Sequence, residues 1–146
     1  MKKRAEIAEG DSRLVRVAAA VRREQLEASR EAIRSLWRVG DWVRELRDLT
    51  SRRAWRRTLQ WCAQRAGVHP SSMDAAIRAA VAFPPEERDA LLARLEQAGA
   101  LISPSHVIEL SYANGARRAA AVERLLIEPQ AVRALRASLR GERACR

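Results

Sequence analysis

From Gly67 onward the chain is cut at short intervals by Gly and Pro: Gly67, Pro70, Pro84-Pro85, Gly99, Pro104, Asn114-Gly115, Pro129 and Gly141. Glycine commonly ends a helix, and proline fits a first helical turn but not a helix interior. Between these breaks the apolar residues recur three or four apart, the spacing of one helix face. Met73, Ala76, Ile77 and Ala80 make one such stripe; Leu91, Leu92 and Leu95 make another, and Val132, Leu135 and Leu139 a third. Aromatics are only 4% of the chain, and four of the six are Trp, so Ala, Leu, Val and Ile must fill the core. Residues that favour strands are scarce, while Ala, Arg, Leu and Glu favour helix. The expected fold class is all-α, a multi-helix domain preceded by a long N-terminal helix.

Four regions follow from this reading. Residues 1–10 are polar and form a flexible basic arm ending at Gly10. Residues 11–49 form the N-terminal helix or a helical pair, capped by Asp11 or Ser12. Its apolar stripe runs through Leu14, Val17 and Val21, thins in the charged stretch Arg22–Arg30, and returns at Ile33, Leu36, Trp37, Val43 and Leu46. Gly40 lies on that stripe. A glycine inside a helix costs roughly 1 kcal/mol against alanine, so its position marks a close helix crossing or a kink. Residues 50–141 form the main helical domain. It opens on a helix starting at Thr50-Ser51 and buries Trp55, Leu59, Cys62, Ala63 and Ala66. Residues 142–146 form a frayed tail after a last helix ending at Gly141. The four tryptophans, Trp37, Trp42, Trp55 and Trp61, are expected as core anchors.

The 146 residues carry a net charge of +10, and the only lysines are Lys2 and Lys3. A basic surface attracts polyanions, and the guanidinium fork of Arg holds phosphate oxygens bidentately. Heavy use of Arg and Ala is also what a GC-rich genome produces, so charge alone does not fix the partner.

Leu59–Ile77 fits the spacing of a helix-turn-helix. That motif needs a small residue on the first helix, a turn glycine four positions on, an apolar residue next and two inward apolar positions on the second helix, because two helices pack closely across a short turn. Here these are Ala63, Gly67, Val68, Met73 and Ala76. The second helix, capped by Ser71 or Ser72, then presents Pro70, Ser71, Ser72, Asp74, Ala75 and Arg78 outward, with His69 in the turn. Those are the residues that would meet base edges and phosphates of double-stranded DNA. Arg52, Arg53, Arg56 and Arg57 lie on the helix just before the motif, where the first helix crosses the DNA backbone. Arg117, Arg118, Arg133, Arg136 and Arg140 are weaker phosphate candidates.

Thr58–Leu139 resembles the helical DNA-binding region of the ParB and KorB partition proteins. In that family a helix-turn-helix is followed by a helix, a Leu-Ser-x-Gly-His-Ala helix start, a charged helix and a closing Ser-Val-Arg segment. The corresponding stretches here read Leu101-Ile102-Ser103-Pro104-Ser105-His106-Val107 and Gln130-Ala131-Val132-Arg133-Ala134-Leu135. Leu36-Trp37-Arg38-Val39-Gly40-Asp41-Trp42-Val43 is similar to the Leu-Tyr-Trp-x-x-Gly-x-x-Ile element in the N-terminal helical domain of the YhcG nuclease family. The ParB nucleotide-binding half and the YhcG nuclease domain have no counterpart. The resemblance implies a bacterial or mobile-element DNA-binding protein serving partition, transcriptional control or recombination, located in the cytoplasm with the nucleoid. The alternative is a non-catalytic helical adaptor of a larger nucleoprotein or nuclease complex. The resemblance also makes His106 structural.

No enzyme, cofactor or metal site is expected. Cys62, His69, His106 and Cys145 lack ligand spacing, and the two cysteines are too far apart in sequence to suggest a disulfide framework. Ser71, Ser103 and Ser105 occupy helix starts rather than a catalytic array, and Glu86-Glu87 sit in a first helical turn, where the dipole favours carboxylates. No apolar run is long enough to span a membrane, and no apolar segment follows Met1–Arg4 to make a signal peptide. The N-terminal helix either pairs two protomers in a homodimer or wraps the core.

Overall fold

A computed structural model of the chain describes residues 11–144, with side chains to 141. The expected arm 1–10, with Cys145 and Arg146, lies outside the described residues. Seven helices and no strand occupy the described residues: α1 (Ser12–Asp48), α2 (Trp55–Ala66), α3 (Pro70–Ala82), α4 (Pro85–Ala98), α5 (Pro104–Ser111), α6 (Gly115–Ile127) and α7 (Val132–Ala144). The all-α expectation is met.

Local chemistry sets most boundaries. The Asp11 carboxylate accepts from the Arg13 amide at 2.8 Å and caps α1. Pro70, Pro85 and Pro104 each open a helix, where a missing N–H costs nothing. Gly67 and Gly99 end α2 and α4 with φ of +69° and +59°. A Cβ built on Gly67 meets nothing within 4 Å, so its requirement for glycine is purely conformational. Gly67→Val should cost about 1–2 kcal/mol through backbone strain alone. Urea melts of Gly67→Val beside the parent check this; an unchanged midpoint would show that the turn tolerates another conformation.

Four boundaries differ from expectation, and one is the start of α7, which lies at Val132 rather than at Pro129. Thr50-Ser51 does not begin a helix: Thr50 Oγ1 donates to the Leu46 carbonyl at 2.7 Å, Arg52–Ala54 form a turn, and α2 starts at Trp55. Neither Ser71 nor Ser72 caps α3. His69 does, its Nδ1 accepting from the Ser71 amide at 3.2 Å, with Pro70 as the first helical residue. The last helix does not end at Gly141, and its backbone runs on through Ala144.

α3 is the central helix. It packs most extensively on α1 and also touches α2 and α5. Ala76, Ala79 and Ala80 let α1 come close, and Gly40 lies at that crossing. One apolar cluster joins Ile33 and Trp37 of α1 to Ala79, Leu92, Leu110, Leu125 and Leu135, so α1, α3, α4, α5, α6 and α7 share it. A second joins Val43, Leu59, Ala63, Met73 and Ile77, with Trp55 and Cys62 at its edge, and holds α2 against α1 and α3. The buried residues of α1 are Ile33, Trp37, Gly40 and Val43, all in its C-terminal half.

The N-terminal half of α1 reaches the bundle through polar contacts. Arg22 donates to the Gly99 carbonyl at 2.8 Å, Ser29 to that of Ile102, and Arg30 pairs with Glu96 at 3.0 Å. Leu14, Val15, Val17 and Val21 are exposed, so the first half of the expected stripe contributes nothing to the core. A single 37-residue helix is about 55 Å long, and the other helices cover less than that.

Arginines tie the helices together. Arg88 makes a two-pronged pair with Asp41, at 2.6 and 2.8 Å, donates to the Phe83 and Ala80 carbonyls, and lies over the Trp37 ring. Arg118 donates to the carbonyls of Ala82 and Ala113, both at 2.7 Å, and of Leu110 at 3.2 Å. Arg117 donates to the Leu139 carbonyl, and Arg136 pairs with Glu109. Arg117, Arg118 and Arg136 therefore act as cross-braces between helices. His106 is structural as the resemblance implied: it is buried, Nδ1 accepts from the Ser103 amide at 3.0 Å, and Nε2 lies 2.6 Å from the Gln130 carbonyl. That geometry requires the tautomer protonated on Nε2.

Candidate nucleic-acid interface

Between Asp48 and Asp74 the chain has no acidic residue and five arginines: Arg52, Arg53, Arg56, Arg57 and Arg65. All five are exposed, and none forms an ion pair among the described residues. Elsewhere Arg30, Arg34, Arg38, Arg88, Arg94 and Arg136 are each matched by a carboxylate. Other arginines, such as Arg16, Arg23, Arg44 and Arg133, also lack an ion pair among the described residues. The stretch 49–73 is the longest in the chain without an acidic residue, and it holds five of them. This acid-free stretch is legible in the sequence itself, as a run of 25 residues without Asp or Glu between Asp48 and Asp74.

Arg56 and Arg57 lie in the first turn of α2, while Arg52 and Arg53 lie in the preceding turn rather than on the helix. They remain neighbours in the chain but do not all lie on one helix, contrary to the expectation from sequence.

The α2–α3 connection is short: Gly67, Val68 and His69 separate the two helices. Ala63 and Met73 are buried on the facing sides, as the motif spacing requires. Val68 is not; it is 46% exposed, because the left-handed Gly67 turns the chain outward before α3 begins.

On α3, Ser71, Ser72, Asp74 and Arg78 are all exposed, and Ser71, Asp74, Arg78 and Val81 follow one another at three- and four-residue steps along the outer face. Two of the candidates already have partners. Ser71 Oγ lies 2.7 Å from His69 Nδ1, and the Arg78 guanidinium sits 4.3 Å from the ring centre of Tyr112 at the end of α5. Beside this stripe a shallow groove is lined by Arg47, Asp74, Ile77, Arg78 and Val81, between the end of α1 and α3. The outer face of α3 carries Ser71 and Ser72 at its N-terminal end, then Asp74 and Arg78.

The tryptophans divide. Trp37 is buried and Trp55 half-buried, as core anchors should be. Trp42 and Trp61 are 65% and 59% exposed, which corrects the expectation that all four anchor the core. Leu59 and Ala63 define the inner face of α2, and Trp61 falls opposite them at 100° per residue.

Among the described residues no group of three or more His, Cys, Asp and Glu side chains is placed to hold a metal, and no helix is long and apolar enough to cross a membrane. Comparison with protein-family models, curated proteins and solved structures finds no match to this chain.

Proposed function

We propose that this protein binds double-stranded DNA through α2 and α3 arranged as a helix-turn-helix. The arginines of α2 and its preceding turn lie along the phosphate backbone, and the outer stripe of α3 faces the base edges. The observation that carries this reading is the acid-free stretch between Asp48 and Asp74, whose five arginines are exposed and without ion-pair partners among the described residues. Cations held without carboxylate neighbours repel one another, and a polyanion relieves that repulsion while releasing its own counterions. The three-residue turn, the buried Ala63 and Met73 and the exposed Ser72, Asp74 and Arg78 support the role of α3.

Changing Arg52, Arg53, Arg56 and Arg57 together to Ala tests it. Each phosphate contact contributes about 0.9 to the slope of log K against log salt, so the variant should flatten that slope by roughly three to four. It should weaken binding to all duplex sequences alike, with an unchanged melting temperature, since all four side chains are exposed. An unaltered salt slope would move the DNA face elsewhere.

A second reading, a helical adaptor in a larger nucleoprotein, is favoured by one observation: Leu14, Val15, Val17 and Val21 stand exposed on the half of α1 that lies beyond the core. No duplex binding at low salt would make that reading the better one.

A further inference from the structure

We infer that the outer face of α2 binds unpaired DNA bases, with Trp61 as the stacking platform and Arg57 and Arg65 as the phosphate contacts on either side. This deepens the reading of α2 as a DNA-backbone helix and rests on it. Arg57, Trp61 and Arg65 are four residues apart and stand on successive turns of α2, rising about 6 Å per step. All three are exposed, and they lie opposite the inward Leu59 and Ala63. The Arg65 guanidinium lies over the Trp61 ring, 5.1 Å from its centre, so a cation already sits on one face of the indole and a base stacks on the other.

Charge decides the kind of occupant. The nearest acidic residues in sequence are Asp48 and Asp74, so the indole is set among cations alone within this stretch. A neutral apolar partner would have to desolvate those guanidinium groups without replacing their hydration. A nucleic-acid strand supplies phosphates for them and flat base faces for the indole at once. In a duplex the base faces are covered by their neighbours and only the edges are presented in the grooves. An exposed Trp therefore adds nothing to duplex binding along the phosphate backbone, and it acts only where bases are unstacked: a single strand, a fork or a frayed end.

The test uses the full chain with two labelled probes, a twenty-nucleotide oligothymidine and a blunt duplex of the same length, read by fluorescence anisotropy at low salt. Stacking of one base is lost in Trp61→Ala, so oligothymidine affinity should fall by about 5- to 150-fold while duplex affinity changes by less than about twofold. Trp61→Phe, which keeps a flat ring, should recover most of the loss. Oligothymidine should also quench the tryptophan emission of the parent more than that of Trp61→Ala. Unchanged oligothymidine affinity in Trp61→Ala overturns the proposal, and so does an equal loss on both probes, which would mark Trp61 as support for the arginines. A parent that binds oligothymidine but not duplex overturns the assignment of α3 to base edges and leaves this proposal standing. A parent that binds neither overturns both.

Discussion

Gly40→Ala should destabilise the protein by about 3 kcal/mol, the upper part of the range for overpacked cores. A Cβ on Gly40 would lie 2.1 Å from the Ala76 carbonyl oxygen and 2.7 Å from both the Ala76 carbonyl carbon and the Ala80 Cβ. Two of those three atoms are backbone of α3 and cannot rotate away, so the helices must separate along their whole contact. Ala76, Ala79 and Ala80, which are close to fully buried, would then lose their packing against α1. The better helix propensity of alanine returns at most about 1 kcal/mol, and a domain of this size has roughly 5–15 kcal/mol in total. The expected readout is a fall in melting temperature of roughly 10 °C. Gly141→Ala is the control: Gly141 also lies inside a helix, but a Cβ there meets nothing within 4 Å, so the variant should gain about 0.5–1 kcal/mol. If both variants melt like the parent, α1 and α3 do not approach as closely as the structure has them.

Arg88→Met should cost nearly as much, about 2–4 kcal/mol. Removing one partner of a buried ion pair costs about 3–5 kcal/mol. The figure is reduced here because the Asp41 side chain is 40% exposed while that of Arg88 is 12%. The variant strands the Asp41 carboxylate, removes donors from the Phe83 and Ala80 carbonyls, and takes the cation from the Trp37 ring. The Arg88 guanidinium holds the Asp41 carboxyl below the usual carboxylate range, against a smaller opposing effect of burial. A carboxyl with a depressed folded-state pKa contributes stability above its unfolded value, and that contribution is lost as pH falls through the folded value. The gap between parent and Arg88→Met should therefore be full at neutral pH and shrink once the pH drops below the ordinary carboxylate range. Urea midpoints at pH 7 and pH 3 measure it, and a gap independent of pH would remove Asp41 from the account.

Which features could be foreseen follows from how far along the chain their causes reach. The Asp11 cap, the left-handed Gly67 and Gly99, the helix starts at Pro85 and Pro104 and the all-α class depend on backbone groups within a few residues, so they can be read without knowing any distant contact. The inward faces of α3, α4 and α7 were equally legible, because those helices are short and enclosed. Gly40 was visible as an anomaly, and its partner atoms on α3 were not.

Tertiary structure decided the rest. Periodicity says which residues of a helix share a face, and it does not say whether another element covers that face. The stripe Leu14, Val17 and Val21 steps by three and four residues, as Ile33, Trp37, Gly40 and Val43 do, yet only the second meets α3 and its neighbours. Trp55 and Trp61 differ by little more than a turn and a half on α2, but one turns toward Val43 and Leu59 and the other away. The arginines divide for the same reason. Arg118 is a brace because the carbonyl of Ala82, 36 residues away, arrives beside it. Arg52, Arg53, Arg56 and Arg57 remain exposed because no carboxylate or carbonyl among the described residues is brought to them. A guanidinium looks the same in every sequence, and its role is set by acceptors that only folding places within hydrogen-bond reach.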